Sequence, residues 1–420
     1  MISESEQEWS ADFVASTTKG GTSQPAHRQY KEARFRVAYA LPSLETGGLQ
    51  RAVLTTTKYL HGNEAAVAII ALRPSPTSST MDAEFQALGV PVICLGLAHR
   101  AERHLPTFIR AVAGMRRVFR ELDIDLVDSA VLEADLSSRV ACLASGVTHV
   151  THLINTTYEI PGWQTQSRGA IRRYGAIQLD RLSGRSSSSF IAISEAVRQS
   201  YIRVPGFPES KITVIPRGVD RTHFRALEAP APSSIVRFGI AGRLVKGKGV
   251  DVAISAVANC KARGETVRLS ICGDGPEVES LRQLAAHLGV GGQVDFESFR
   301  SDIVGFYRTI DALIMPSRHE GLGNTLIEAM ACGRPALVSD IDTFREVARN
   351  SLGCLFSDPG DAGALADRMM DFCQSPPGLR RAMGDANERR VREAYDARAN
   401  CLALLEHYTA LAGRSRRATE

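Results

Sequence analysis

The sequence predicts an α/β protein of two doubly wound, parallel-sheet domains facing each other across a cleft. Three observations carry that expectation. Short β-branched apolar runs alternate with longer stretches of helical spacing along most of the chain, the pattern of parallel strands covered by helices on both faces. The alternation restarts after residues 226–234, Ala-Leu-Glu-Ala-Pro-Ala-Pro-Ser-Ser, whose prolines suit an interdomain linker. Finally, 420 residues exceed one ordinary core at roughly 100 to 200 residues per domain.

Residues 1–34 are rich in Ser, Thr, Gln and Glu without periodicity and read as a disordered leader. Order is expected from Phe35. The first domain, 35–225, has strand-like runs at 35–41, 65–72, 90–95, 126–128 and 149–154, with helical stretches at 49–60, 81–88, 105–121 and 134–144. The alternation pauses over 158–185, where 183–189 is entirely Ser, Gly and Arg. It resumes with 190–193, a helix from Glu195 and a strand at 212–216. Beyond the linker, the second domain, 235–395, repeats the scheme with strands at 236–241, 267–273, 294–296, 312–315 and 335–339. Its helices are read at 249–262, 277–288, 303–309 and around Glu328. Residues 396–420 supply a last helix and tail, with Leu402, Leu405 and Tyr408 at helical spacing.

Composition narrows the function. At 44% hydrophobic and 23% charged the chain is globular, and a net charge of +4 is too small to argue for nucleic acid. No apolar run approaches the roughly 20 residues of a membrane-spanning helix. The acidic, polar start lacks a basic segment followed by an apolar one, so a cytoplasmic protein is expected. Eight cysteines without a C-x-x-C pair suggest buried thiols, and ten histidines show no metal spacing.

The most informative stretch is Glu320-Gly-Leu-Gly-Asn-Thr-Leu-Ile-Glu328, after the apolar run 312–316. Two glutamates eight apart in a glycine-rich turn are ordinary in α/β proteins. The context raises their weight. A helix beginning near Asn324 turns the amides of Asn324, Thr325 and Leu326 toward an anion, favoured also by the helix dipole. Glu328, one turn on, suits neutral hydroxyls such as those of a ribose, and Glu320 reaches another part of the same ligand. A phosphate seat flanked by hydroxyl acceptors describes a sugar nucleotide.

Four other loops lie at strand ends, where ligands bind in open α/β sheets. Gly47-Gly48 lets backbone approach a ligand before a helix starts. Gly242-Arg243-Leu-Val-Lys-Gly-Lys248-Gly249 offers a fork and a point charge to a diphosphate. Gly273-Asp-Gly-Pro lines the same wall as a tight turn, and Ser298-Phe-Arg300-Ser-Asp offers groups to a base ring.

In this order the motifs resemble the retaining glycosyltransferases of family 4. They are Gly47-Gly48, Ile193-Ser194-Glu195, Ile215-Pro216-Arg217-Gly218-Val219-Asp220, Gly242-Arg243-Leu244 with Lys248-Gly249, Gly273-Asp274-Gly275-Pro276, and Pro316-Ser317 before Glu320 to Glu328. The resemblance covers roughly 35–412. It implies a GT-B fold: two Rossmann-like domains, the first binding acceptor and the second a nucleoside diphosphate sugar, and a final helix crossing back to the first. It also implies retaining hexosyl transfer that requires no metal. Arg243, Lys248 and Glu320 would be the catalytic set. Gly48, Gly273, Arg300, Asn324, Thr325, Leu326 and Glu328 would bind donor.

The acceptor side departs from the family pattern. Arg217 stands where many relatives carry Asn, and His152 comes two residues before the position of a family histidine, on the same strand face but deeper. His152, Asn155 and Thr156 are the acceptor-side candidates. Asp340-Ile341-Asp342 spells an Asp-x-Asp but reads as loop polarity, with the two cations doing a metal's work. Arginines 100, 103, 110, 116, 117 and 120 around one expected helix, and 168, 172, 173, 181 and 185 around another segment, offer basic amphipathic faces to an anionic membrane and a lipid-linked acceptor, or simply to water. Donor, saccharide or lipid-linked acceptor and peripheral membrane contact are thus the expected partners, in polysaccharide or glycoconjugate assembly. A same-fold sugar phosphorylase or epimerase, and a non-catalytic nucleotide-binding regulator, are the alternatives. Glycoside hydrolysis by paired carboxylates does not suit a glutamate beside a phosphate seat.

Overall fold

The computed structural model describes residues 33, 35–61, 65–75, 80–97, 105–156, 158, 167–228, 235–300 and 302–417, the side chains at 167–172 and 414–417 excepted. The expected leader, apart from Ala33, lies outside the described residues, as do 229–234 of the linker.

The first sheet is parallel, in the order β3-β2-β1-β4-β5-β6-β7. Its strands are β1 (Phe35–Leu41), β2 (Ala65–Ala71), β3 (Val92–Cys94), β4 (Leu126–Ala130), β5 (Thr148–Leu153), β6 (Ser189–Ala192) and β7 (Ile212–Val214). All seven residues of β2, Ala-Ala-Val-Ala-Ile-Ile-Ala, are buried. Such uninterrupted apolar strands are what helices on both faces of a parallel sheet require. The second sheet runs β10-β9-β8-β11-β12-β13, from β8 (Val236–Ala241), β9 (Val267–Cys272), β10 (Val294–Glu297), β11 (Ala312–Met315), β12 (Ala336–Ser339) and β13 (Cys354–Ser357). Strand order reverses at β1/β4 and at β8/β11, and the loops beyond those strand ends form the site.

Helices of the first domain are α1 (Gly48–Leu60), α2 (Asp82–Ala87), α3 (Leu105–Glu121), α4 (Leu132–Leu143), α5 (Ser167–Gly184) and α6 (Glu195–Arg203). The second adds α7 (Val250–Ala262), α8 (Val278–His287), α9 (Ile303–Thr309), α10 (Asn324–Ala331), α11 (Asp342–Ala348), α12 (Ala362–Gln374) and α13 (Pro377–Ala394), before α14 (Ala397–Arg417).

Helix α5 occupies most of the expected pause. Its sequence lacks an apolar stripe because it is fastened through polar groups: Asp180 takes a 2.6 Å ion pair from buried Arg139 on α4 and a 2.7 Å hydrogen bond from Tyr158. The chain after β12 also continues as β13, α12 and α13, which short runs such as Cys-Leu-Phe-Ser did not announce.

Helix α14 crosses back onto the first domain. Cys401, Leu404, Leu405, Tyr408 and Ala412 are buried in the core formed with α1, β1 and β2. Leu402, expected on the inner stripe, is 52% exposed; the packed face runs through Cys401 and Leu404 instead. Gly218 makes the crossing possible, since a Cβ there would collide with the backbone at Asp396 and Ala397. A parallel bridge between Val219 and Asp396 ties the segments. The domains also meet directly: Ser194 Oγ donates to the Gly321 carbonyl (2.7 Å), and Glu346 accepts the amides of Glu195 and Ala196 at the start of α6 (2.9 and 3.2 Å). That carboxylate meets two of the otherwise orphaned donors of α6, Ser194 Oγ takes a third from Val197, and the helix dipole there is of matching sign.

Candidate functional site at the mouth of the two sheets

The second-domain wall is built by close backbone approach. Gly249 adopts φ +66 and leaves no room for a Cβ against the Pro316 carbonyl; Gly273, at φ +147, does the same against Gly242. These glycines let the loops after β8, β9 and β11 nest. Gly273 therefore shapes the wall. Lys248 then falls beside Glu320, with Nζ 2.6 Å from Oε1, and Ser317 Oγ donates to the same oxygen at 2.9 Å. Thr343 Oγ1 donates to the Glu320 carbonyl (2.9 Å), fixing the loop from α11. Lys248 and Glu320 are thus brought together, and Arg243, earlier in the loop that carries Lys248, is exposed and without an acceptor among the described residues.

Gly323, at φ +81, caps α10 without a side-chain bond. The Leu326 amide already bonds the Gly323 carbonyl (2.9 Å). Of the three expected donors, Asn324 and Thr325 are therefore the available ones. On the next turn Glu328 accepts a 2.9 Å hydrogen bond from Tyr307 OH. Loss of hydration raises the Glu328 carboxyl from 4.5 to about 7, opposed by that hydrogen bond and by Arg51.

Arg51 comes from the other domain, in the first turn after Gly47-Gly48. Its guanidinium lies 5.5 Å from the Phe299 ring centroid, within cation–π range. A Cβ on Gly48 would sit 3.8 Å from Asn324 Nδ2, so the glycine loop faces the start of α10 directly. Arg300, by contrast, pairs with Glu297 at 2.7 Å. Arg51 and Tyr307 were not singled out from the sequence, and Ser317 was named only within the Pro316-Ser317 motif, without a role. Only Arg51 carried a signal, a cation one helical turn behind the glycine pair.

On the acceptor side His152 Nδ1 lies 3.0 Å from Asp128 Oδ2, and Tyr408 OH of α14 donates to the same oxygen. His152 lines a small hollow of about 40 Å³, partly open to solvent, together with Tyr39, Asp128, Arg217 and residues of α1 and α14. Asn155 and Thr156 are half-buried; the Asn155 backbone packs where a side chain on Gly321 would go. Asp340 is held bidentately by Arg345 at 2.5 Å, and Asp342 opens α11. Among the described residues no three His, Cys, Asp or Glu side chains converge on a point. Of the basic helices, Arg110, Arg116 and Arg120 are exposed on α3 and Arg181 and Arg185 at α5, while Arg117 pairs with Glu121. Arg100 and Arg103 lie outside the described residues, as do the side chains of Arg168 and Arg172.

Comparison with known proteins agrees with this architecture. Residues 46–223 match the family model "Glycosyltransferase Family 4", and residues 230–390 match "Glycosyl transferases group 1". The chain is 32% identical over 180 residues to the lipopolysaccharide core biosynthesis glycosyltransferase LpsD of Rhizobium meliloti, covering 43% of this chain and 50% of that one. It is 35% identical over 140 residues to LpsE of the same organism, covering 33% and 39%. The chain thus spans half or less of the length of these relatives. Among solved structures, Anabaena Alr3699/HepE in complex with UDP-glucose superposes with a TM-score of 0.72 at 21% identity, covering 90% of this chain and all of that one. The chain belongs to the glycosyltransferases of family 4 and has their GT-B fold.

Proposed function

We propose that this chain is a retaining hexosyltransferase that moves a sugar from a nucleoside diphosphate sugar to a saccharide, lipid-linked or small-molecule acceptor in polysaccharide or glycoconjugate assembly. The observation that carries the reading is that Gly48 and Arg51 of the first domain approach Asn324 and Glu328 of α10, while Lys248 pairs with Glu320 on the loop that leads into that helix. In this reading the diphosphate lies between Arg243, Lys248 and the α10 amides, the ribose on Glu328, and the sugar near Glu320. Breaking the anomeric bond builds charge on the departing diphosphate, and fixed cations and amides at that point lower the barrier. Arg243 and Lys248 supply the charge that a metal supplies elsewhere. The leaving phosphate takes the acceptor proton on the face it departs from, which retains configuration.

The names of the relatives, glycosyltransferases of lipopolysaccharide core biosynthesis, and the UDP-glucose complex of a structural neighbour support transfer over a phosphorylase, an epimerase or a nucleotide-binding regulator. A thermal-shift screen over UDP-, GDP- and ADP-linked sugars tests the donor, since bound ligand stabilises with the logarithm of its saturation. One nucleotide series is expected to raise Tm and to yield a product of the donor's anomeric configuration by NMR. An inverted product, or no shift with any series, contradicts the reading.

Peripheral membrane contact has a narrower basis. Leu105 and Ile109 on α3, Leu143 on α4, and Tyr174 and Leu182 on α5 are 56% or more exposed, on or next to the helices that carry the exposed arginines of α3 and α5. Among the described residues no helix is long and apolar enough to cross a membrane. In this reading the face docks to anionic lipid at the inner membrane surface, and the chain should pellet with anionic vesicles at low salt; recovery in the supernatant removes it.

A further inference from the structure

Two polar groups lining the hollow behind α1 are short of partners, and the donor site does not use them. The first is His152. A carboxylate oxygen can only accept, so at 3.0 Å from Asp128 Oδ2 the Nδ1 atom carries hydrogen, and Nε2 of the neutral ring is left as an acceptor. That Nε2 is buried with no partner. The ring cannot turn to find one without releasing Asp128, which Tyr408 also holds.

The second is Arg217, from the segment that joins β7 to the second domain. Burial lowers its guanidinium to about 10, which leaves it charged at neutral pH; Asp128, Tyr39 and Tyr408 oppose the shift. No hydrogen bond or ion pair engages it among the described residues. The residue is half-buried, and a guanidinium has five donors in a planar fork suited to a carboxylate or phosphate.

The rest of the hollow is apolar, with Leu41, Val53, Ile215 and Leu404 in its walls. Every lining residue comes from the first domain, from the segment 215–218 or from α14. Leu49 also lines it, and its neighbour Gly48 faces Asn324. The hollow therefore sits one residue behind the loop that meets the donor wall.

We propose that this hollow seats an acidic sugar group, a carboxylate or phosphate ester on the acceptor, with the anion on Arg217 and a neighbouring hydroxyl donating to His152 Nε2. Asp128 and Tyr408 are positioning residues: they fix the tautomer and direction of His152. As an acceptor subsite the proposal rests on the glycosyl-transfer reading; as an anion seat it stands on the geometry of Arg217 and His152.

The test titrates the full chain with D-glucuronate, D-glucose 6-phosphate and neutral D-glucose by calorimetry, with UDP as the donor-site control. At least one acid sugar should bind tenfold or more tighter than glucose, and which one does so separates carboxylate from phosphate. In ¹⁵N-histidine spectra the same sugar should shift one side-chain Nε2 signal, which is missing in His152→Gln. Arg217→Gln should lose the tenfold preference while still binding UDP, and Arg217→Lys should keep part of it. The proposal is overturned if both acid sugars bind no tighter than glucose to the parent, or if Arg217→Gln keeps the preference. Should Arg217→Gln fail to fold, the parent comparison and Arg217→Lys still decide. Failure of the parent to bind any nucleotide, with acid-sugar binding intact, would count against the transfer reading and leave the seat standing.

Discussion

Among the described residues, the second domain holds one charged side chain with almost no exposure, Arg334, whereas the first holds Asp128, Glu133, Asp135, Arg139 and Asp180, with His149 beside them. The two halves share a sheet topology and differ in how their strand ends are held. The donor wall nests glycine loops against backbone and leaves its cations at the rim. The acceptor half joins side chains distant in sequence, Asp128 to Tyr408 across 280 positions and Arg139 to Asp180 across 41. Backbone nesting gives a wall that tolerates a charged ligand at its surface. A buried network gives directed partners, at the risk that removing one strands the others.

The largest expected effect breaks the acceptor half. Arg139→Met removes the cation from Asp180 while both side chains are at most 4% exposed, and stranding a buried charge costs about 3–5 kcal/mol. Urea unfolding followed by a first-domain probe should show it. A loss under about 1 kcal/mol would mean that the network is not what secures α5.

The corresponding change in the donor half acts through pH. Because the folded state raises Glu328 from 4.5 to about 7, it holds more protons than the unfolded state between those values. Stability from this group is full below pH 4.5 and lost as pH rises through 7, by about 3 kcal/mol in all. Glu328→Gln should therefore gain on the parent as pH rises across that window. Ribose hydroxyls donate to the carboxylate, so parent affinity for the donor nucleotide should fall up to about tenfold per pH unit below 7, with a flat profile in Glu328→Gln. Parallel pH profiles for the two proteins would remove Glu328 from the ribose.

The same contrast explains what could be read in advance. Strands such as 65–71 and 312–315 were legible because both-face burial writes itself as an apolar run. The donor loops were legible because close approach demands glycine at set offsets from Arg243, Lys248 and Glu328. Helix α5 was missed because Asp180 and Tyr158, rather than an apolar stripe, attach it. The Asp128–His152–Tyr408 cluster was out of reach for a related reason: no local pattern records that α14 returns to β4. His152 was noticed, but its partners and its direction come only from the fold.

The smallest stability effect falls on the pair at the rim. Lys248 and Glu320 are 31% and 12% exposed, and Lys248→Ala should cost no more than about 1 kcal/mol, as partly solvated ion pairs do. Its effect on chemistry should be of another order. Release of nucleoside diphosphate from the preferred nucleotide sugar, timed in the parent, Arg243→Ala and Lys248→Ala at equal folded fraction, addresses the central claim most directly. Each variant should lose about a hundredfold or more in kcat; turnover at the parent's rate in both would contradict the account.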